Sequence, residues 1–162
     1  MINRRHFSSA LAAGAAASMV SPLVRARPAA PRVRNVVLVH GAYADGSCWS
    51  DVIGRLQAAG LRAMAVQNPL TSLADDVAAT QRILALQDGP TVLVGHSFAG
   101  TIISEAGVDP KVAALVYVAA RAPAAGEDYP ALAARFPRPP ASDGLVTSGG
   151  FARPSVAVTR RR

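Results

Sequence analysis

Short apolar runs alternate with amphipathic stretches along residues 35–118 of this 162-residue chain. The apolar runs are rich in Val, Ala and Leu, which is typical of strands that a parallel sheet buries on both faces. They predict four strands, at residues 35–39, 62–66, 91–94 and 113–118.

Between these runs, apolar residues recur every three or four positions, as on one face of a helix. One such stripe ends at Gly60, and a second follows Ser72, which can cap a helix whose first turn holds Asp75 and Asp76. A third helix is predicted at residues 97–105. The first two stripes consist of Trp49, Val52, Ile53 and Leu56, and of Leu73, Val77, Thr80 and Leu84. Strands that alternate with helices predict an α/β fold of three layers with a mostly parallel sheet.

The first 30 residues have a different layout. Arg4 and Arg5 precede an apolar stretch from Ala10 to Val20, and small residues follow, as in a secretory signal peptide. The paired arginines shortly before Phe7 resemble a twin-arginine export motif. We expect residues 1–30 to direct export of the folded protein, to the periplasm or the medium. An unprocessed basic amphipathic N-terminus is the alternative.

The remainder divides into a partial core at residues 31–130 and a tail at residues 131–162. Pro, Ala and Gly dominate beyond Ala119, and the prolines around Phe136 oppose helix and strand formation. We expect the tail to be irregular. The pattern after Ala152 lacks core periodicity, which favours a chain truncated or frame-shifted near that residue.

The net charge of +7 is concentrated at the two ends of the chain. Eight of the 17 basic residues lie in the first 30 and last ten positions, which leaves nine basic and ten acidic residues between them. This near-neutral middle has no basic stripe with interleaved aromatics, so nucleic-acid binding is not expected. No apolar run is long enough to predict a membrane span.

Cys48 is the only cysteine, which excludes an intrachain disulfide and a thiolate metal cluster. We expect Cys48 to be a small apolar filler at a helix start. No structural metal is implied.

The sequence Gly95-His96-Ser97-Phe98-Ala99-Gly100 follows the third strand and opens a helix. This context matches the G-x-S-x-G nucleophile turn, in which a strained serine is held above the sheet edge at a helix N-terminus. The partial positive charge there favours the anion that develops during acyl transfer.

A second element, His40-Gly41-Ala42, follows the first strand. A loop at this place can direct a backbone N–H toward the same oxyanion that the N–H of Phe98 reaches. Tyr43 and Trp49, which come next along the chain, are expected to be wall or core residues.

The segments VVLVHGAYADGSCW, VLVGHSFAG and LVYVAARAPAAGED, together with the turn at Pro69, resemble α/β-hydrolase-fold esterases of the methylesterase and hydroxynitrile-lyase branch. The resemblance covers about residues 35–130. It implies that Ser97 is the nucleophile and that the backbone amides of Ala42 and Phe98 form the oxyanion hole. Small carboxylic esters are the implied substrates, and no cofactor or metal is implied.

The chain departs from the family pattern in its proton acceptor, because the triad order is Ser, then Asp or Glu, then His, and no histidine follows Ser97. By the resemblance His40 shapes its loop, with a role as base as the alternative, and His96 is structural. Glu127 and Asp128 occupy a place that some relatives use for the acid, but surface carboxylates are expected there. The sequence therefore predicts a serine hydrolase with impaired activity.

Two alternatives remain, namely a non-catalytic small-molecule binding module and a non-functional hydrolase fragment. The choice between hydrolysis and lyase chemistry also stays open, as does the oligomeric state.

Overall fold

The computed structural model describes residues 33–124 and 126–155. The predicted export signal at residues 1–30 lies outside them. Four parallel strands form one sheet in the order β2-β1-β3-β4. Their bounds are Asn35–Val39 for β1, Arg62–Val66 for β2, Thr91–His96 for β3 and Val112–Val118 for β4.

Three helices cross between these strands: α1 (Ser50–Ala58), α2 (Leu73–Ala85) and α3 (Ala99–Ala106). A 3-10 turn at Gly46–Trp49 leads into α1. Parallel neighbours require such crossovers, so the predicted three-layer α/β fold is confirmed. Ser72 caps α2 as expected, because its Oγ accepts a hydrogen bond from Asp75 N at 3.1 Å.

The core lies on both faces of β1, whose side chains alternate between two clusters. Val37 and Val39 join the cluster that α2 and α3 cover, which includes Leu84, Leu93, Ile102 and Ile103. Val36 and Leu38 join the other, which contains Trp49, Ala63 and Val94. All five residues of β1 are buried, as the apolar run predicts.

β4 lies at the edge of the sheet, with β3 on one side and no strand on the other within the described residues. Val116, Tyr117 and Val118 are therefore about two fifths exposed, at 42%, 38% and 40%. An apolar strand at the edge of a sheet stays partly exposed to solvent, whereas β1, which has a strand on each side, is buried.

The expectation of an irregular tail is wrong for the described part of it. A short helix, α4 (Tyr129–Ala133), and a 3-10 turn at Pro140–Gly144 are followed by an antiparallel hairpin of β5 (Leu145–Ser148) and β6 (Phe151–Pro154). Gly149 and Gly150, with φ of 57° and 82°, form the two-residue turn. Two successive left-handed residues match the twist of a tight hairpin, and glycine adopts them without steric cost.

Cys48 lies in the 3-10 turn that leads into α1, as expected, but it is exposed, so the expectation that it is an apolar filler is wrong. No helix in the described part of the chain is long and apolar enough to cross a membrane.

Lys111 closes the C-terminal end of α2. Its Nζ donates to the carbonyl oxygens of Leu84, Ala85 and Gln87 at 3.2, 2.8 and 2.7 Å. These carbonyls lie at or just beyond the last turn, where a helix leaves acceptors unpaired and where its dipole favours a cation. Lys111 therefore ties α2 to the start of β4.

Replacing Lys111 with Met removes these hydrogen bonds but keeps the apolar part of the side chain. We expect the free energy of unfolding to fall by about 1.5 to 3 kcal/mol. Urea denaturation followed by circular dichroism measures the change. The matched control is Arg82→Met, at an exposed position of the same helix, which should change stability by less than about 0.5 kcal/mol. Equal losses in the two variants would contradict the capping role.

Candidate active site

Ser97 lies in the turn between β3 and α3, with φ of 57°. Its backbone N–H donates to the carbonyl of Val118 at 3.4 Å, and its own carbonyl accepts from Gly100 N at 3.1 Å and Arg121 N at 3.0 Å. Left-handed backbone costs a residue with a side chain about 1–3 kcal/mol. The segment after β4 therefore helps to hold the serine in this conformation.

Gly95 and Gly100 are required because the backbone passes too close for a side chain. A Cβ on Gly100 would lie 1.8 Å from the carbonyl oxygen of Arg121, and one on Gly95 would lie 2.8 Å from that of Ala99. Both distances are far below van der Waals contact. The two glycines of the motif thus allow strand, turn and helix to meet around Ser97.

The loop after β1 reaches this turn, because β1 and β3 are adjacent and Val39 pairs with Gly95. A Cβ on Gly41 would lie 3.1 Å from the Cβ of Ser97. Ala42 and Phe98, which follow Gly41 and Ser97 along the chain, both line one cavity. Within the described residues, neither backbone N–H donates to a protein acceptor.

His40 is fully buried and shapes this loop. Its Nδ1 lies 2.9 Å from the carbonyl of Gly41, to which it donates, and its Nε2 accepts from Asn68 N at 3.0 Å. Asn68 Nδ2 also donates to the carbonyl of His40 at 3.1 Å. This pairing fixes the neutral tautomer with a proton on Nδ1. Both ring nitrogens are occupied, which leaves neither as an acceptor for the Ser97 hydroxyl.

His96 is exposed and rests edge-on against Trp49, with ring centroids 6.5 Å apart at 84°. Within the described residues its ring makes no hydrogen bond to Ser97. Trp49 is buried in the core, and Tyr43 is 53% exposed and lines the cavity. Both therefore agree with the expectation that they are wall or core residues.

Glu127 and Asp128 serve the local loop. Glu127 Oε2 accepts from Ala124 N at 2.9 Å, and Asp128 Oδ1 accepts from Ala131 N at 3.1 Å, ahead of α4. Both side chains are exposed. This is the surface role that the sequence predicts.

The cavity has a volume of about 330 Å³. Part of its lining comes from the β5–β6 hairpin, through Gly150, Phe151 and Ala152, where no sequence motif indicates a site. The rest comes from the loop after β1, from residues 70–73 and 76, and from Phe98. A buried carboxylate, that of Asp76, also lines the cavity.

Asp76 is 1% exposed and is held by the loop before α2. Its Oδ1 accepts from the backbone N–H of Leu70 at 2.8 Å, and Leu70 has φ of 58°. Burial raises the pKa of the Asp76 carboxyl above its ordinary value, and the Leu70 hydrogen bond and the nearby His40 oppose that rise. The sequence pattern placed Asp76 in the first turn of a helix but gave no sign of its burial.

The sequence profile of the α/β-hydrolase family matches residues 36–161. The chain belongs to the α/β-hydrolase family. The predicted resemblance to α/β-hydrolase-fold esterases is confirmed, since the two relatives described next are both esterases.

A carbendazim-hydrolyzing esterase from Nocardioides sp. (strain SG-4G) is 31% identical over 133 residues, covering 72% of this chain and 53% of that protein. Esterase PIR7B of Oryza sativa subsp. japonica is 33% identical over 129 residues, covering 70% and 48%. The chain thus spans about half the length of the curated relatives that it matches.

Two solved structures are similar as well. The pyrethroid hydrolase from Sphingobium faniae JZ-2 superposes with a TM-score of 0.66 at 26% identity, covering 80% of this chain and 59% of that one. A variant of the pyrethroid hydrolase PytH gives 0.67 at 26% identity with the same coverage.

The substitution Gly100→Ala tests the close approach at the serine turn. Its Cβ would overlap the backbone of Arg121, so the segment after β4 must move and release Ser97. We expect a loss of about 3 kcal/mol or more in the free energy of unfolding. Urea denaturation provides the measurement.

The control for this prediction is Gly54→Ala in α1, where a Cβ meets open space. Alanine is the better helix former, so this variant should gain up to about 1 kcal/mol. Wild-type stability in Gly100→Ala would mean that the segment after β4 does not approach the turn this closely.

Proposed function

We propose that this chain carries the nucleophile and oxyanion hole of a carboxylic ester hydrolase. The observation that supports this most directly is the left-handed Ser97 at the N-terminus of α3, in contact with the loop that bears Ala42. The esterases among its relatives support the same reaction class.

In the proposed reaction, Ser97 Oγ attacks the ester carbonyl carbon and loses its proton to solvent water, which later returns a proton to the leaving alcohol. The oxygen of the tetrahedral intermediate accepts hydrogen bonds from the N–H groups of Ala42 and Phe98. The alcohol then leaves with a proton, and an acyl-serine remains for water to hydrolyse. Ser97 at the helix N-terminus adds a favourable dipole for the developing negative charge.

No base contacts Ser97 in the part of the chain that the structure describes. The three histidines of the chain are His6, His40 and His96. His6 lies outside the described residues, His40 has both nitrogens occupied, and His96 makes no hydrogen bond to Ser97. A serine hydroxyl without an adjacent base is a weak nucleophile. We propose that this chain alone is a slow catalyst.

The substrates proposed are small carboxylic esters. A cavity of about 330 Å³ admits a group of small-molecule size, and its aromatic and aliphatic lining suits an apolar one. The relatives named for carbendazim and pyrethroid hydrolysis favour substrates that this lining would suit. The second candidate function is binding without turnover, which the occupied nitrogens of His40 favour.

Hydrolysis of 4-nitrophenyl acetate by the purified chain distinguishes these functions. A site with an oxyanion hole but no working triad retains about 10³ to 10⁴-fold acceleration over water, so we expect weak but measurable release of nitrophenol. Ser97→Ala should abolish the acetyl adduct that mass spectrometry maps to Ser97 and the nitrophenol release that passes through it, while any acceleration by the oxyanion hole and binding alone should remain.

The matched control is Ser47→Ala, at an exposed serine, which should leave the rate unchanged. His40→Ala, compared at retained circular dichroism, tests the base. Efficient turnover that both Ser97→Ala and His40→Ala abolish would make His40 the base and contradict slow catalysis. Binding of the ester without any turnover would favour the second candidate.

We also propose export through the twin-arginine motif at Arg4 and Arg5. Replacing both with Lys preserves the charge but not the guanidinium groups that the motif presents. We expect the variant to accumulate inside the cell, as measured by fractionation with immunoblotting. A variant with Arg25 and Arg27 changed to Lys is the control. Unchanged export of the Arg4 and Arg5 variant would refute the assignment.

A further inference from the structure

The cavity lined by Ala42 and Phe98 has a charged residue that the proposed reaction does not use. Asp76 lines it together with Tyr43, Phe98 and Phe151, and its Oδ1 is hydrogen-bonded to Leu70, another lining residue. Asp76 is 1% exposed, so solvent screens its charge poorly. Its position does not depend on a salt bridge, because the described contact of Oδ1 is the neutral N–H of Leu70.

Within the described residues, none of the groups around Asp76 forms an ion pair with it. His40 faces it, but both of its ring nitrogens are already hydrogen-bonded, to Gly41 and Asn68, so neither donates to Asp76. The hydroxyls of Thr71 and Ser72 donate to Asp75 Oδ2 at 2.7 and 2.8 Å, so their protons are not directed at a ligand. No Lys or Arg lines the cavity within the described residues.

One cation stacks on an aromatic residue of the cavity. The guanidinium carbon of Arg121 is 5.5 Å from the centroid of the Phe98 ring, but Arg121 is not among the residues that line the cavity.

A cavity with one buried carboxylate and several aromatic faces treats ligands differently according to their charge. An anion placed there meets the Asp76 charge at a low effective dielectric and is repelled. A cation is attracted by both the carboxylate and the negative faces of aromatic rings. An uncharged apolar group gains from burial alone.

We propose that this cavity selects its ligands by charge, with Asp76 as the specificity-determining residue: it accepts uncharged and cationic aromatic groups and rejects anionic ones. As a statement about substrates, this rests on the proposed function and restricts the esters to uncharged or cationic ones. As a statement about binding, it holds whether or not Ser97 is acylated.

Three planar ligands of nearly equal shape test the proposal: benzamidine is cationic, benzamide uncharged and benzoate anionic at about pH 8. Titration calorimetry or ligand-observed NMR gives their dissociation constants with the full chain. We expect benzamidine to bind at least as tightly as benzamide, and benzoate about tenfold more weakly or worse. Equal or tighter binding of benzoate would overturn the proposal.

Asp76→Asn removes the charge and retains an oxygen that can accept the Leu70 N–H, so the loop keeps its anchor. We expect this variant to bind the three ligands within about threefold of one another. Asp51→Asn, at an exposed position in the first turn of α1, makes the same change in net charge and should preserve the wild-type order. An order unaffected by Asp76→Asn would assign the selectivity to another group.

The same measurements with Ser97→Ala separate this inference from the proposed function. An unchanged affinity order in Ser97→Ala, without any ester turnover in wild type, would refute the proposed function alone. Turnover that depends on Ser97, together with no charge preference, would refute the charge selection alone.

Discussion

The left-handed backbone of Ser97 is the constraint to which its neighbours are fitted. β3 ends at His96, directly before this residue. α3 begins only at Ala99, two residues later than predicted. The hydrogen bonds that hold Ser97 come from Val118, at the end of β4, from Gly100 and from Arg121. The strain is therefore offset partly by contacts between segments that are distant in the sequence, and it persists only while β4 and the segment after it stay in place.

The loop after β1, which bears Ala42, depends on a different set of contacts. His40 and Asn68 join the ends of β1 and β2 through backbone and side-chain hydrogen bonds, and this pairing sets the path of the Gly41 loop toward Ser97. A buried histidine that both donates and accepts is a good structural clamp because each nitrogen has one partner. The same arrangement makes it unavailable for proton transfer, so the structural role and the catalytic one exclude each other at this residue.

Much of the fold can be predicted from the sequence, because a strand that is buried on both faces of a sheet has a continuous run of apolar residues. The bounds of β1 and β2 were predicted to the residue, and Gly-x-Ser-x-Gly located the turn. The β5–β6 hairpin was missed, although Gly149-Gly150 between two short runs is a hairpin signal, because the neighbouring prolines suggested disorder. The burial of Asp76 was not predictable, since it depends on how the loop at Leu70 folds back over α2.

In the proposed acyl-transfer site, the tasks separate according to the kind of group that performs them. Holding Ser97 as nucleophile and presenting the N–H groups of Ala42 and Phe98 would require backbone geometry, which β1, β3, α3 and the segment after β4 provide among themselves. Taking up a proton requires a side chain with a free lone pair, and the described histidines near the serine turn offer none to Ser97. The proposed charge stabilisation thus depends on local backbone that the structure contains, whereas activation of the hydroxyl depends on a side chain that this backbone does not specify. The first can therefore persist independently of the second.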